Sequence, residues 1–462
     1  MIKSWKNKAV TVMGLGRFGG GVGVARWLAA AGAKLTITDL APAEKLQRSL
    51  EQIADLGATL HLGGHDERDF RGADVIVINP AVPPSSPFLQ TARAAGVEIT
   101  TELNLFVERC PAPCVGVTGS VGKSTITAMI GHILTHTRPA QRTWVGGNIG
   151  RSLLDALEQM QADHLVVLEL SSFQLQRTSA VRWSPHVAVL SNFTPNHLDW
   201  HGSFPAYVAA KLHIVRFQDP RRDVVVFQDT PELRKTLESV HADGRATWCY
   251  GLDGVQPMAT RLTAAPPGAD DSPLRWDGLT LAVPGQHNRQ NAAAALTVAH
   301  ALGVPKDAAV AALATFEALP HRLQRVAQRD GITYFDDSKS TTPEAALTAL
   351  RAIENPLLVI LGGYNKGSDL RPVAEEAARR TKFAACIGAT GPSLVTAIRA
   401  AGGQADLCPD LPAALVACRQ HAQSGDAVLL SPACASWDQF ADYRERGDLF
   451  ARLAREESGP AA

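Results

Sequence analysis

A chain of 462 residues, 45% hydrophobic and 19% charged, is too long for a single core and needs about two to four. Lys+Arg and Asp+Glu are equal at 45 each, so no overall basicity favours nucleic acid or an anionic membrane surface, and any anion site has to be local. The polar start, residues 1–8, and the short apolar run after it lack the pattern of a signal peptide, and no run reaches the ~20 apolar residues of a membrane span. The seven cysteines are scattered, show no C-x-x-C pair or zinc spacing, and read as buried thiols of a reducing cytoplasm.

Along the chain, short apolar runs alternate with helical patterns. Strands are expected at 9–13, 35–38, 75–78, 114–117, 165–168, 187–190 and 224–227. A Pro- and Gly-rich stretch, 264–284, interrupts the alternation, with a strand expected at 279–283 and a helix from about Asn288. Strands follow at 332–335, 357–361, 383–387 and 427–430, and a closing helix is expected from about Trp437. Strand-helix alternation predicts parallel sheets wrapped by helices, in three units of residues 1–109, 110–318 and 319–462.

Gly14, Leu15, Gly16, Arg17 and Gly19 lie between the first strand and a helix, and Asp39 ends the next strand. That spacing suits a dinucleotide fold, in which glycines let backbone N–H groups approach a pyrophosphate and the acid meets a ribose. NAD, a nucleotide-linked sugar and a purely structural tight turn all remain open from this motif. The second loop runs through Gly119, Ser120, Val121, Gly122, Lys123, Ser124 and Thr125, between a strand and a helix. It is nearly a P-loop, with backbone amides for phosphates, a Lys for the outer charge and a hydroxyl for magnesium. Val117 occupies the place of the usual first Gly, so the strict pattern fails while the order of strand, loop and helix holds.

Glu169 ends an apolar strand, where ligands of parallel sheets gather, and one carboxylate with phosphate oxygens suits magnesium. His197 follows another strand in the string from Asn192 to Gly202, and Tyr207 and Lys211 share the next helix. Asn288 and Asn291 lie three apart on one helix face, where capping is the simpler reading of Asn288. Asp337, Lys339 and Thr341 follow the strand at 332–335, Lys366 follows the next, and Ser436, Trp437 and Tyr443 follow the last. Each lysine alone reads as a solvated surface group; two at the ends of parallel strands beside small residues read as anion ligands.

From Gly119 onward these strings resemble the Mur ligase family, and within it the branch that adds glutamate. The loop at 119–124 is similar to that family's Gly-Thr-Asn-Gly-Lys-Ser/Thr, the string 169–175 to its magnesium-binding strand end, and the string 431–440 to its glutamate-binding Ser. The resemblance implies an α/β fold of three domains: an N-terminal Rossmann-like unit, a central P-loop ATPase with a parallel sheet, and a C-terminal Rossmann-like unit. It implies a cytoplasmic, monomeric, ATP- and magnesium-dependent ligase of peptidoglycan precursor synthesis, joining D-glutamate, or as the alternative L-glutamate, to UDP-N-acetylmuramoyl-L-alanine through an acyl-phosphate.

By residue, the resemblance implies catalytic roles for Lys123, Lys211, His197 and Lys339, Lys211 being carbamylated. ATP contacts fall on Gly119 to Thr125, Asn288, Asn291, Arg322 and Asp337; UDP-sugar contacts on Gly14, Leu15, Gly16, Arg17, Asp39 and Asn148. Glutamate contacts fall on Lys339, Thr341, Lys366, Ser436, Trp437 and Tyr443, and magnesium on Ser124, Glu169 and His197. Trp437 and Tyr443 depart from the aliphatic and Phe residues of the branch, which leaves the D or L isomer open. Aligning three substrates removes a barrier of up to ~7–11 kcal/mol, so closure of the last domain over the central one is expected. A P-loop regulatory protein accounts for Lys123 and Ser124 but not for Lys339, Lys366 and Ser436, and a dehydrogenase accounts only for residues 14–39.

Overall fold

The computed structural model describes residues 4–16, 19–80, 82–150, 152–238, 244–254, 256–262 and 273–456. It divides into two compact units, one of residues 1–278 and 290–313 and the other of 279–289 and 314–462.

The first unit carries two sheets. The N-terminal one has five parallel strands in the order Thr59–Leu62, Lys34–Asp39, Ala9–Met13, Val75–Ile78, Glu98–Thr101. Its central strands are apolar because helices cover both faces, and Val75–Ile78 is buried at every position. Strand order reverses between Ala9–Met13 and Val75–Ile78, which opens a crevice at their carboxyl ends and sets the first glycine loop there. Gly21 must be glycine, since a Cβ would lie 2.3 Å from the Leu15 carbonyl oxygen as the helix Gly20–Ala30 leaves the loop.

The second sheet has eight strands, with Cys114–Thr118 third from one edge, between Leu165–Glu169 and Val187–Leu190. The outer strands Gln256–Arg261 and Leu274–Arg275 run antiparallel. One continuous apolar core joins both sheets, from Trp5 and Leu28 through Leu154 and Leu168 to Phe227. The strand expected at 279–283 is absent: Leu279 and Val283 are buried, but beyond the turn at Gly278 (φ +78°) the segment finds no ladder partner, and the pairing falls instead to Leu274–Arg275. Residues 263–272 of the irregular stretch lie outside the described residues.

The second unit holds a six-stranded sheet ordered Gln324–Arg329, Ile332–Asp336, Ala427–Leu430, Leu357–Gly362, Thr381–Ile387, Ala405–Leu407, parallel except at its first edge. The closing helix starts at Tyr443, not near Trp437 as expected. Asp442 sets that start, because its carboxylate accepts the N–H groups of Arg444 and Glu445 and residues 436–442 turn instead. No described helix is long and apolar enough to cross a membrane.

Candidate active site

The first glycine loop stands in left-handed backbone at Gly14, Gly16 and Gly19 (φ +95°, +67° and +91°). The Asp39 carboxylate accepts the Gly16 N–H at 3.0 Å and the Ala41 N–H at 2.8 Å, so it shapes the loop it was expected to serve. Leu15 is fully buried in the core and offers the crevice only its backbone; Arg17 lies outside the described residues.

The second loop is where charges converge. It leaves the strand Cys114–Thr118 and enters the helix Lys123–Thr137 through Gly122 at φ +86°. Gly122 has no room for a side chain, since a Cβ would lie 2.6 Å from Asn291 Oδ1. Ser120 is pinned from the side: its hydroxyl donates to the Thr194 carbonyl at 2.9 Å and lies 2.9 Å from the Tyr207 hydroxyl. Asn192 Oδ1 accepts the Val121 N–H at 3.1 Å, which leaves the Val121 side chain exposed. Thr125 stands in the first helical turn beside the buried Ser124.

Lys123 and Lys211 meet at one oxygen. Lys123 Nζ donates to the Gly119 carbonyl at 3.0 Å and to the Ser120 carbonyl at 2.9 Å, and Lys211 Nζ donates to the same Gly119 carbonyl at 2.8 Å. Lys211 is almost fully buried, on the helix Phe204–Arg216. Burial first, then the charge of Lys123, pushes its amine down to about 6, with Glu169 opposing.

Glu169 is buried at the strand end, its Oε1 accepting from Asn148 Nδ2 at 2.8 Å while its Oε2 has no hydrogen-bond partner. A buried, half-satisfied carboxylate suits a hard cation that completes its shell with phosphate oxygens and water. No group of three or more His, Cys, Asp or Glu is gathered among the described residues. His197 begins a short helix in left-handed backbone (φ +53°), a strained place for a non-glycine residue. Burial keeps its imidazole below the usual value, Asp199 opposes this, and Lys123 and Lys211 reinforce the lowering. Asn148 was expected to touch the sugar; its side chain is seated on Glu169.

In the second unit, Asp337 has both carboxylate oxygens engaged within the unit, accepting the Leu323 N–H at 3.1 Å and the Ser431 hydroxyl at 2.8 Å. Burial outweighs those donors and pushes it up to about 7. Lys339 is held by its own N–H to the His321 carbonyl, and its ammonium lies 5.3 Å from the Tyr443 ring centroid. The Thr341 N–H closes a tight turn onto the Lys339 carbonyl. Tyr364 and Ala435 exchange N–H···O bonds of 2.8 and 3.0 Å, and that bridge sets Lys366 4.6 Å over the Trp437 ring, beside buried Ser436. Arg322 lies near enough to Asp337 for its charge to act on it. Asn288, read either as a cap or as an ATP contact, donates from Nδ2 to the Pro284 carbonyl at 2.7 Å.

Two residues of the string 443–447 were given no role from the sequence. Arg446 is 1% exposed and joins Ser338 Oγ at 3.0 Å, the Ser338 carbonyl at 2.9 Å and the Cys434 carbonyl at 3.2 Å, so it ties the Lys339 turn to the loop before Ser436. Gly447 lets the closing helix approach the His321–Asp336 pair, where a Cβ would lie 2.2 Å from His321 Nδ1. The signal for Arg446 is its place on the same helix face as Phe450 and Ala454, a charge where the pattern calls for an apolar residue.

Three family descriptions match the chain: Mur ligase MurD-like, N-terminal domain over residues 8–101; Mur ligase middle domain over 117–299; and Mur ligase, glutamate ligase domain over 321–434. The chain belongs to the Mur ligase family. Among curated relatives, the UDP-N-acetylmuramoylalanine--D-glutamate ligase of Roseiflexus sp. (strain RS-1) is 38% identical, over 96% of this chain and 98% of that one. The protein of the same name from Pelotomaculum thermopropionicum is 36% identical over 98% of each. Of solved structures, the UDP-N-acetylmuramate-alanine ligase of Thermotoga maritima superposes with a TM-score of 0.60 at 20% identity, covering 96% of this chain and 99% of that one. The MurF ligase of Thermotoga maritima in complex with ADP gives 0.56 at 18%, covering 98% and 99%. These two share the fold.

Proposed function

We propose that this chain is an ATP-dependent ligase that joins D-glutamate to UDP-N-acetylmuramoyl-L-alanine. The observation that carries the chemistry is the meeting of Lys123 and Lys211 on one carbonyl oxygen, with the unpartnered Oε2 of Glu169 nearby in charge reach. Two lysine side chains packed against a glycine loop, Lys123 carrying the charge, suit an anion, and a terminal phosphate fits. The relatives' shared name supports the choice of sugar peptide and amino acid.

In this reading the alanine carboxylate attacks the γ-phosphorus of ATP, the bond to the bridging oxygen breaks and ADP leaves. The glutamate amine then attacks the acyl carbon, and phosphate departs with the bonding pair while the nitrogen gives up a proton. Phosphoryl transfer of this kind depends on positioning and charge neutralisation more than on covalent help. Lys123 and the loop amides neutralise the phosphates; Ser124, Glu169 and His197 would hold magnesium, which supplies further neutralisation when bound. Gly14, Gly16 and Asp39 orient the nucleotide sugar. Lys339, Thr341, Lys366, Ser436, Trp437 and Tyr443 receive glutamate, Lys339 and Lys366 meeting its carboxylates.

The test is phosphate release from ATP with UDP-N-acetylmuramoyl-L-alanine, run with D-glutamate, L-glutamate and no amino acid. Release that depends on D-glutamate is expected. Dependence on L-glutamate would move the isomer choice to Trp437 and Tyr443, and release with neither would overturn the proposed substrates.

A further inference from the structure

Between the helix Glu102–Val107 and the strand Cys114–Thr118, which carries the second glycine loop, the chain runs through Cys110, Pro111, Ala112 and Pro113 into Cys114. Both ends of this joint are anchored. The Cys110 N–H donates to the Phe106 carbonyl at 2.9 Å, and the Cys114 N–H to His186 Nδ1 at 3.1 Å. Proline fixes φ at two of the three residues between them, so the turn has little freedom to open.

Both thiols fold back onto one oxygen. Cys110 Sγ and Cys114 Sγ each donate to the Ala112 carbonyl at 3.6 Å, and Cys110 Sγ lies 4.0 Å from Met160 Sδ. The two sulfurs are close enough to act on each other. A hydrogen bond from Cys114 holds the Cys110 thiol below its usual value, with burial opposing, and the same contact, reinforced by burial, pushes Cys114 up. At Cys249, Cys386, Cys408, Cys418 and Cys434 burial pushes the thiol up instead. Exposure divides the pair as well, since Cys110 is half-buried while Cys114 is 3% exposed and belongs to the core. The outer thiol is thus the one that ionises and can be reached, and the inner one stands shielded beside it.

We propose that Cys110 and Cys114 are a modification site, a thiol pair that a low-molecular-weight disulfide such as glutathione disulfide oxidises to an intramolecular disulfide. The Cys110 thiolate attacks one sulfur of the small disulfide, whose S–S bond breaks and releases one thiolate. The Cys114 sulfur, giving up its proton, then attacks Cys110 Sγ and expels the second thiolate. The protein loses two electrons and two protons, which turn the small disulfide into two thiols. The pair lies outside both glycine loops, and the proposal does not depend on the ligase reading.

The test is incubation of the native full chain with glutathione disulfide, trapping of the remaining thiols with an alkylating agent in denaturant, and mass spectrometry of the tryptic peptides. Cleavage after Arg109 and Lys123 leaves both cysteines, and no other, in one peptide of residues 110–123. That peptide is expected to be about 2 Da lighter than its reduced form and free of alkyl groups, while the other cysteines are alkylated. In Cys114→Ser, Cys110 should retain one glutathione, because nothing expels it. In Cys110→Ser, the shielded Cys114 should react about tenfold more slowly or less. An unchanged mass of peptide 110–123, glutathione retained on Cys110 in the unaltered chain, or oxidation as fast at the other cysteines would each overturn the proposal. Reaction of Cys114 at the unaltered rate in Cys110→Ser would overturn the order of attack.

Discussion

Exposing the protein to carbon-13 bicarbonate should carbamylate Lys211 selectively. Only a neutral amine attacks carbon dioxide, and an ordinary lysine near pH 7.5 is neutral in about one molecule in a thousand. Burial and the neighbouring charge of Lys123 bring Lys211 down to about 6, against a starting value of 10.5. At the same pH nearly every folded molecule then presents the neutral form, an advantage of about a thousandfold. The carbamate puts an anion in place of a neutral amine beside Lys123, whose charge it then faces. The linkage has a definite sign. Between about pH 6 and 10.5 the unfolded chain holds a proton that the native Lys211 has released, so stability rises with pH through that window and the cost of burial is greatest below it. Carbon-13 NMR from about pH 5 to 9 should show a carbamate signal that fades as pH falls through about 6 and is missing from Lys211→Met. A signal that survives Lys211→Met, or an amine that titrates near 10, would refute the reasoning.

Glu169→Gln should leave the fold intact, since the amide oxygen can still accept from Asn148, yet slow magnesium-dependent ATP turnover about a hundredfold or more through loss of the anionic Oε2. Turnover within a few-fold of the unaltered protein would remove Glu169 from the cation site. Gly447→Ala should lower stability by about 1–3 kcal/mol, because its Cβ would press on His321 Nδ1 and the Asp336 carboxylate, neither of which is the loose end of a long chain; denaturant titration reads this directly. The bond to Asp336 raises the His321 imidazole above its usual value, with burial opposing. Its contribution is therefore complete below about pH 6.5 and lost as pH rises through the raised native value. The stability gap between the unaltered chain and His321→Gln should close with rising pH, and a gap that stays constant would falsify that pairing.

Much of this protein was legible in one dimension because the features concerned are local. Apolar runs between Gly, Asp and Asn mark strands such as Val75–Ile78 and Leu357–Gly362, and contiguous residues 119–125 suffice to form a glycine loop that opens a helix. Glu169 at its strand end was readable for the same reason. The misreadings come where local pattern does not decide. Leu279 and Val283 alternate like a strand, but pairing needs a partner that the chain does not supply there, and the carboxylate of Asp442 decides where the last helix begins.

Tertiary structure alone decided the electrostatics. Ser338 and Arg446 are 108 residues apart in sequence, Gly119 and Lys211 are 92 apart, and Asn148 and Glu169 are 21 apart, yet each pair is in hydrogen-bond contact. Whether a lysine is an ordinary cation or a neutral nucleophile depends on the water and charges excluded from around it, and those arrive from distant strands and helices. Composition and motif determined that Lys123 and Lys211 exist on glycine-loop and helix positions; the packing of the sheet and the helix Phe204–Arg216 determined that they meet on one oxygen, because folding alone brings their segments together and removes the water between them.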